Sequence, residues 1–502
     1  MEVRESRSQI RWDAEVSANL DVTLVPVRGT PVDLPGASIA YESVAGLRNR
    51  LAKRELSPVE LINELLERID RYDNALHAFV TVTADRARSD ARTALELFER
   101  GRQAGPLCGI PYGLKDVIET AGILTTGQSK ILRDHIPERD AEVARRLKQS
   151  NGVLLGKLTT YEFAHGGPSW DLPWPPAMNP WKTGYLAGST SSGPAAAVAA
   201  GMLPFAIGTD TGGSIRMPAA VCGIVGVKPT FGLVSRTGVL PNTFTFDTCG
   251  PMARTVEDTA IVLNEIAGYD DDDVSSVEHE IGDYTRGIAD GIKGFRIGWV
   301  RHWYDGVASC HPDIPPALEK AMNVLEQAGA SVEEIQLSEL LVYQDCKTTI
   351  SITEMFSAYE HEFRTRPEDF GLMFRNKVMS GGLIRAEDYF QALRQRLWLC
   401  RELSRAFREY DVLATAGWMT PAEPARSDVL DKFLRPPNIT TPFNVGGQPA
   451  MTIPCGFSQQ GLPLSLQLAA RHFREDVMFR VGYEYQQRTE WHLKRPSEGF
   501  LQ

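Results

Sequence analysis

The stretch Phe205-Ala206-Ile207-Gly208-Thr209-Asp210-Thr211-Gly212-Gly213-Ser214-Ile215-Arg216 passes from three apolar residues straight into a turn rich in glycine and hydroxyl groups. An apolar run this short, closed by glycine, suits a buried strand. Working outward, similar runs occur at Val153-Leu154-Leu155, Ile224-Val225-Gly226-Val227, residues 295–300 and Val412-Leu413-Ala414, and they alternate with helical segments. That alternation predicts an α/β protein whose strands form a largely parallel buried sheet. The turn carries a chemical meaning as well. Successive backbone N–H groups at Thr211-Gly212-Gly213-Ser214 can converge into an anion-binding nest, with a serine beside it to attack a carbonyl.

Helix signals flank these strands. Ser57-Pro58-Val59-Glu60 offers an N-cap serine, proline at the first helical position and glutamate three residues after the cap. Leu61, Ile62, Leu65, Leu66 and Ile69 then follow at helical spacing. Further helices are predicted over 83–100 and 255–267, and a charged, helix-rich segment covers 314–408. Leu464-Ser465-Leu466-Gln467-Leu468 alternates as a strand does. Residues 1–38 are polar and weakly periodic and read as an N-terminal extension, leaving 39–495 as a single domain with a core near 105–260. The acidic run Asp270 to Asp273 reads as a solvated loop, since it lacks the ligand spacing of a calcium site.

Composition narrows the function classes. The chain has 502 residues, 43% of them hydrophobic and 23% charged, enough to bury a large core. With 53 Lys and Arg against 64 Asp and Glu, the formal charge is −11. That balance argues against a nucleic-acid partner, and no basic run offsets it. Seven widely spaced cysteines contain no Cys-x-x-Cys pair, so free thiols in a reducing compartment are expected. The N-terminal sequence has no apolar signal block, and no stretch is apolar enough to span a membrane. A soluble cytoplasmic enzyme with no membrane partner is the expectation.

Three motifs fail on inspection. Gly152-Val153-Leu154-Leu155-Gly156-Lys157-Leu158 is one residue short between its glycines for a phosphate loop, and Leu158 stands where a hydroxyl would bind magnesium. His279-Glu280 and His361-Glu362 lack the second histidine of a zinc protease. His165-Gly166-Gly167 looks like the oxyanion element of α/β-hydrolases, yet the chain has no Gly-x-Ser-x-Gly elbow.

A serine nucleophile needs a base. No histidine other than His165 lies near the glycine-rich loops in sequence, but a lysine can serve if burial depresses its pKa. Lys115, in Gly109-Ile110-Pro111-Tyr112-Gly113-Leu114-Lys115-Asp116, ends an apolar strand-like stretch. A second glycine- and hydroxyl-rich loop, Gly188-Ser189-Thr190-Ser191-Ser192-Gly193, precedes an alanine-rich segment.

Together these segments make the chain resemble the amidase signature family, whose members include aryl acylamidases and carbamate-cleaving enzymes. The resemblance runs over about 39–492 and takes in Gly109 to Asp116, Gly208 to Arg216, Val-Gly-Val-Lys-Pro-Thr-x-Gly at 225–232 and Pro-Cys-Gly-Phe at 454–457. It implies a mixed α/β/α fold and a Ser–cis-Ser–Lys triad that hydrolyses amides without a metal or organic cofactor. Carried over by motif, Ser214 matches the nucleophile and Lys115 the terminal base. Aligning on Pro194 and the alanines after it puts Thr190 at the cis-serine position, so threonine replaces the family's serine there. Thr190 keeps the hydroxyl and can serve as the shuttle; Ser189 or Ser191 are the alternatives. The oxyanion donors implied are the N–H groups of Thr211, Gly212, Gly213 and Ser214. Ser191, Thr209, Asp210 and Arg216 support them, the last two as an ion pair bracing the loop.

His165, Gly166 and Trp170 are the candidate substrate contacts. Trp170, Trp174 and Trp181 precede the shuttle loop among several prolines, and as an aromatic wall they would favour aryl amides, anilides or carbamates. A homodimer is compatible with this reading. Two other classes remain open: a glutaminase-type component of a tRNA-dependent amidotransferase, and an amide-binding homologue without catalysis.

Overall fold

The computed structural model describes residues 39–101, 105–425 and 437–497; the N-terminal extension lies outside the described residues. Among the described residues eleven strands form one sheet: β1 (Phe79–Val82), β2 (Pro111–Lys115), β3 (Val153–Leu158), β4 (Phe205–Asp210), β5 (Val225–Lys228), β6 (Thr248–Ala253), β7 (Arg296–Trp299), β8 (Ser331–Glu334), β9 (Val412–Ala416), β10 (Ala450–Phe457) and β11 (Pro463–Ala470). Their order across the sheet is β1-β3-β2-β4-β6-β5-β10-β11-β9-β7-β8. Every residue of β2, β3, β4, β6, β9 and β11 is buried. Both faces of the central sheet are therefore covered, as expected for an α/β fold.

The sheet is mixed, with fewer parallel pairings than expected. β2–β3, β2–β4, β7–β8 and β7–β9 are parallel, whereas the run β4-β6-β5-β10-β11-β9 is antiparallel throughout. β10 and β11 are separated by only a short turn around Gly461. A connection that short can join only antiparallel strands. The parallel triple β3-β2-β4 matters for function, because it places the carboxyl ends of β2 and β4 side by side. Ligand sites of open α/β sheets gather beyond such strand ends.

Local sequence accounts for the elements around that edge. The helix Pro58–Leu76 starts with the expected capping box, in which Val59 N–H donates to Ser57 Oγ and Ser57 N–H to Glu60 Oε2. The helix Ser192–Ala199 is buried at every position. Its small residues are a steric requirement: a Cβ on Gly193 would stand 2.4 Å from Thr159 N and 2.5 Å from Ala78 O. The predicted helices over 83–100 and 255–267 appear as Ala84–Glu99 and Val256–Ile266.

Two further expectations are corrected. The acidic run is not wholly solvated: Asp273 is buried against Arg236, and Asp270 accepts hydrogen bonds from Ser235 Oγ at 2.5 Å and Thr237 Oγ1 at 2.7 Å. These carboxylates stabilise the 235–237 turn because its hydroxyl and guanidinium donors face them. The segment 314–408 is not purely helical either, since β8 joins the sheet edge within it. All seven cysteines are free, and among the described residues no helix is long and apolar enough to cross a membrane.

Candidate active site

Lys115 closes β2 and is wholly buried. Its Nζ donates to three hydroxyl oxygens: Thr190 Oγ1 at 2.6 Å, Thr209 Oγ1 at 2.8 Å and Ser191 Oγ at 3.1 Å. No carboxylate touches it among these partners. Burial brings its pKa down to about 7, against the opposing pull of Asp210 and Asp247. A neutral amine is thus available near pH 7, and hydroxyl neighbours can reverse their hydrogen bonds to accommodate it.

The hydroxyls around Lys115 are not equivalent. Ser191 Oγ also donates to Thr209 O at 3.1 Å and accepts from Thr209 N–H at 3.3 Å, while Ser191 N–H donates to Ser214 O at 3.2 Å. Ser191 therefore ties the two glycine-rich loops together and has no proton to spare. Ser189 Oγ is buried without a partner among the described residues and does not reach Lys115. Thr190 Oγ1 touches only Lys115 among the described residues, which leaves its own proton uncommitted. The cis peptide implied at this position is absent: all peptide bonds among the described residues are trans. With a trans backbone, Thr190 Oγ1 is already within hydrogen-bond reach of Lys115.

Ser214 follows a turn that only glycine can make. Gly213 has φ +113°, and a Cβ there would meet Thr440 Oγ1 at 2.0 Å. Ser214 is partly exposed, and its Oγ has no hydrogen-bond partner among the described residues. Of the four expected oxyanion donors, three are uncommitted: Thr211, Gly212 and Ser214 direct no N–H to a described protein acceptor. Gly213 is the exception. Its N–H donates to Asp210 Oδ1 at 2.8 Å, so it holds the turn together instead of facing a substrate.

That carboxylate organises the loop. Asp210 pairs with Arg216 at 3.0 Å with both side chains fully buried, and it also accepts from Ile215 N–H and Asn444 Nδ2. Burial alone would raise its pKa, but Arg216 and these donors hold it far below the usual carboxylate range. Arg216 spends its other donors on Thr440 O, Gln467 Oε1 and Asn444 Oδ1. Thr211 Oγ1 donates to Asp247 at 2.6 Å. Sequence reading missed Asp247, Thr440, Asn444 and Gln467, because they reach the loop from distant segments. Gln467 left one trace, as a polar position of the alternating 464–468 run, but that polar face proves to be buried.

The expected substrate contacts divide. His165 is buried, with Nδ1 3.3 Å from Asn242 Oδ1 and Nε2 without a partner among the described residues. Burial, then Lys377 and Lys347, push its pKa well below the ordinary histidine value, so it is neutral. Gly166 has φ +80° and turns the chain beside Phe374. Trp170 is 49% exposed. Trp181 is not part of an aromatic wall: its ring packs on Phe457 and its Nε1 donates to Cys222 O at 2.8 Å. Lys157, from the rejected phosphate-loop match, sits buried on β3 and donates to Ile118 O and Thr125 Oγ1. Sequence reading also missed Lys347, whose Nζ stands 3.1 Å from where a Cβ on Gly212 would be.

A buried lysine against hydroxyls, a partly exposed serine after a glycine turn and uncommitted backbone N–H groups beside it are group types that serine amidohydrolases use. Sequence comparison agrees: the amidase family model matches residues 60–479. The chain belongs to the amidase signature family and is an enzyme of its amide-hydrolysing type. The A subunit of the glutamyl-tRNA(Gln) amidotransferase of Roseiflexus sp. (strain RS-1) is 38% identical over 483 residues, covering 91% of this chain and 98% of that protein. Among solved structures, the native peptide amidase of Stenotrophomonas maltophilia is 31% identical with a TM-score of 0.80, covering 90% of this chain and 98% of its own. A protein from a vestigial complex, described as revealing the origins of an s-triazine catabolic enzyme, is 30% identical with a TM-score of 0.83, covering 89% and 98%.

Proposed function

We propose that this enzyme hydrolyses a carboxylic amide to acid and amine through an acyl-enzyme on Ser214. Neutral Lys115 takes the Thr190 hydroxyl proton while Thr190 takes that of Ser214, and Ser214 Oγ bonds to the substrate carbonyl carbon. The N–H groups of Thr211, Gly212 and Ser214 hold the resulting oxyanion, each such donor contributing on the order of 10²–10³ in rate. As the tetrahedral adduct collapses, the C–N bond breaks and the relay delivers its proton to the departing nitrogen. Water then attacks the acyl-enzyme by the same route. The observation that carries this reading is the buried Lys115 Nζ, 2.6 Å from Thr190 Oγ1, the nearest of its three hydroxyl partners.

Aryl amides and carbamates remain members of the substrate class to be tried, although the packing of Trp181 removes part of their support. The decisive experiment measures turnover of an aryl amide, a matched aryl carbamate and small aliphatic amides by the parent, Ser214→Ala and Lys115→Ala proteins. Both variants should lose turnover of every substrate; full activity in Ser214→Ala would refute the assignment. A second reading, a glutaminase-type component of a tRNA-dependent amidotransferase, draws support from the end-to-end similarity to the glutamyl-tRNA(Gln) amidotransferase relatives. Copurification of a second protein chain together with glutamine turnover would favour it.

A further inference from the structure

Lys347 lies on the helix Leu340–Ala358, far in sequence from the glycine-rich loops. Its Cε and Nζ approach the Gly212 turn so closely that a Cβ there would lie 3.0 and 3.1 Å from them. The ammonium thus adjoins the turn residue two positions before Ser214 in the chain. It is partly buried, and it makes no hydrogen bond or ion pair among the described residues.

The charges that face it do not explain its position. Lys377, on the helix Leu372–Val378, adds a second positive charge nearby, and His165, on which both lysines act, is neutral. Asp210 and Asp247 attract Lys347 at longer range. Both are already satisfied, Asp210 by Arg216 and Asn444 and Asp247 by Thr211 Oγ1 and the N–H groups of Asn242 and Thr243. A half-desolvated cation without a counterion is unfavourable, and an arriving anion would relieve that cost. A role as oxyanion donor is not required, because three uncommitted backbone N–H groups are available for that position.

We propose that Lys347 recognises a carboxylate on the substrate, selecting amides that carry this group a few bonds from the scissile carbonyl. This rests on the Ser214 acyl-enzyme reading, since it takes the Gly212 turn as the place where the carbonyl sits. Burial and Lys377 lower the Lys347 pKa to about 8, so the side chain is still mainly charged at neutral pH. The helix that carries Lys347 lies outside the loops that hold the triad, so specificity can change there without disturbing the chemistry.

The test uses two matched pairs. N-(para-nitrophenyl)succinamate and its methyl ester place the charge on the acyl half; para-acetamidobenzoate and its methyl ester place it on the amine half. For at least one pair, the parent should favour the carboxylate by about 10-fold or more in kcat/KM, the range of a charge-assisted hydrogen bond. The ratio should fall to near one in Lys347→Met and persist in Lys347→Arg. Ratios near one for both pairs in the parent, or a preference that survives in Lys347→Met, would overturn the proposal. Calorimetric binding of the same pairs to Ser214→Ala gives the ratio without turnover. If Ser214→Ala itself still hydrolyses these amides, the acyl-enzyme reading fails, while the binding ratio still judges Lys347.

Discussion

Burial of Lys115 does two things at once: it removes the ammonium from water and surrounds it with hydroxyls that can exchange protons with it. Because its pKa is depressed to about 7, the neutral base is the minor form below that pH and the major form above it. The logarithm of kcat/KM should therefore climb with pH up to about 7 and then level; a profile flat from about pH 5 to about pH 9 would contradict a lysine base. Thr190 is tested beside it. Thr190→Ser should keep turnover within about ten-fold, whereas Thr190→Ala should lose on the order of 10²–10⁴, the usual yield of a proton-transfer group. Equal rates in parent, Thr190→Ser and Thr190→Ala would remove Thr190 from the relay. Arg216 has a different kind of importance. It neutralises a buried carboxylate, so Arg216→Met should destabilise the fold by about 3–5 kcal/mol.

Between residue and fold, the loops owe their shape to the elements under them. The helix Ser192–Ala199 carries the 188–191 loop and can pack against β3 and the segment before β1 only because residue 193 lacks a side chain. Gly193→Ala pushes a methyl into backbone atoms, which cannot swing aside. It should cost about 1–3 kcal/mol or more in urea unfolding, and an unchanged midpoint would show that the helix has room to move. Elements of this kind were legible in advance. Short apolar runs located β3, β4, β5, β7 and β9, and the Ser57 capping box located a helix start, because burial and capping are properties of adjacent residues. β8 was not legible: Ser331–Glu334 is mostly exposed edge, and its polar sequence carries no strand signal.

Across the whole molecule, what was hidden in the sequence is what the sheet brings together. Lys115 and Ser214 could be named from local motifs, but Asn444, Thr440, Gln467 and Lys347 meet the Asp210 to Arg216 loop only after some 130 to 250 residues of chain have folded. The same burial leaves a thermodynamic signature. Lys115 and Lys228 both have pKa values lowered to about 7, chiefly by burial. Unfolding restores their ordinary values, so the unfolded chain binds more protons than the folded one above pH 7, and stability rises with pH. Buried thiols work in the opposite sense. Burial raises Cys108 and Cys249 to about 12, so above about pH 9 the unfolded chain loses thiol protons that the folded one keeps. All seven thiols are raised by burial, so the unfolding free energy should increase between about pH 7 and about pH 8, before unfolded thiols ionise appreciably; a decrease across that interval would contradict neutral lysines in the native state.

The central claim is that Ser214 is a nucleophile activated by Lys115. Its most direct test is covalent labelling with a fluorophosphonate, followed by peptide mass spectrometry, in the parent, Ser214→Ala and Lys115→Ala proteins. The parent should gain a single adduct on the peptide containing Ser214, Ser214→Ala should gain none, and Lys115→Ala should label far more slowly. An adduct on another residue in the parent, or undiminished labelling of Ser214→Ala, would contradict the claim.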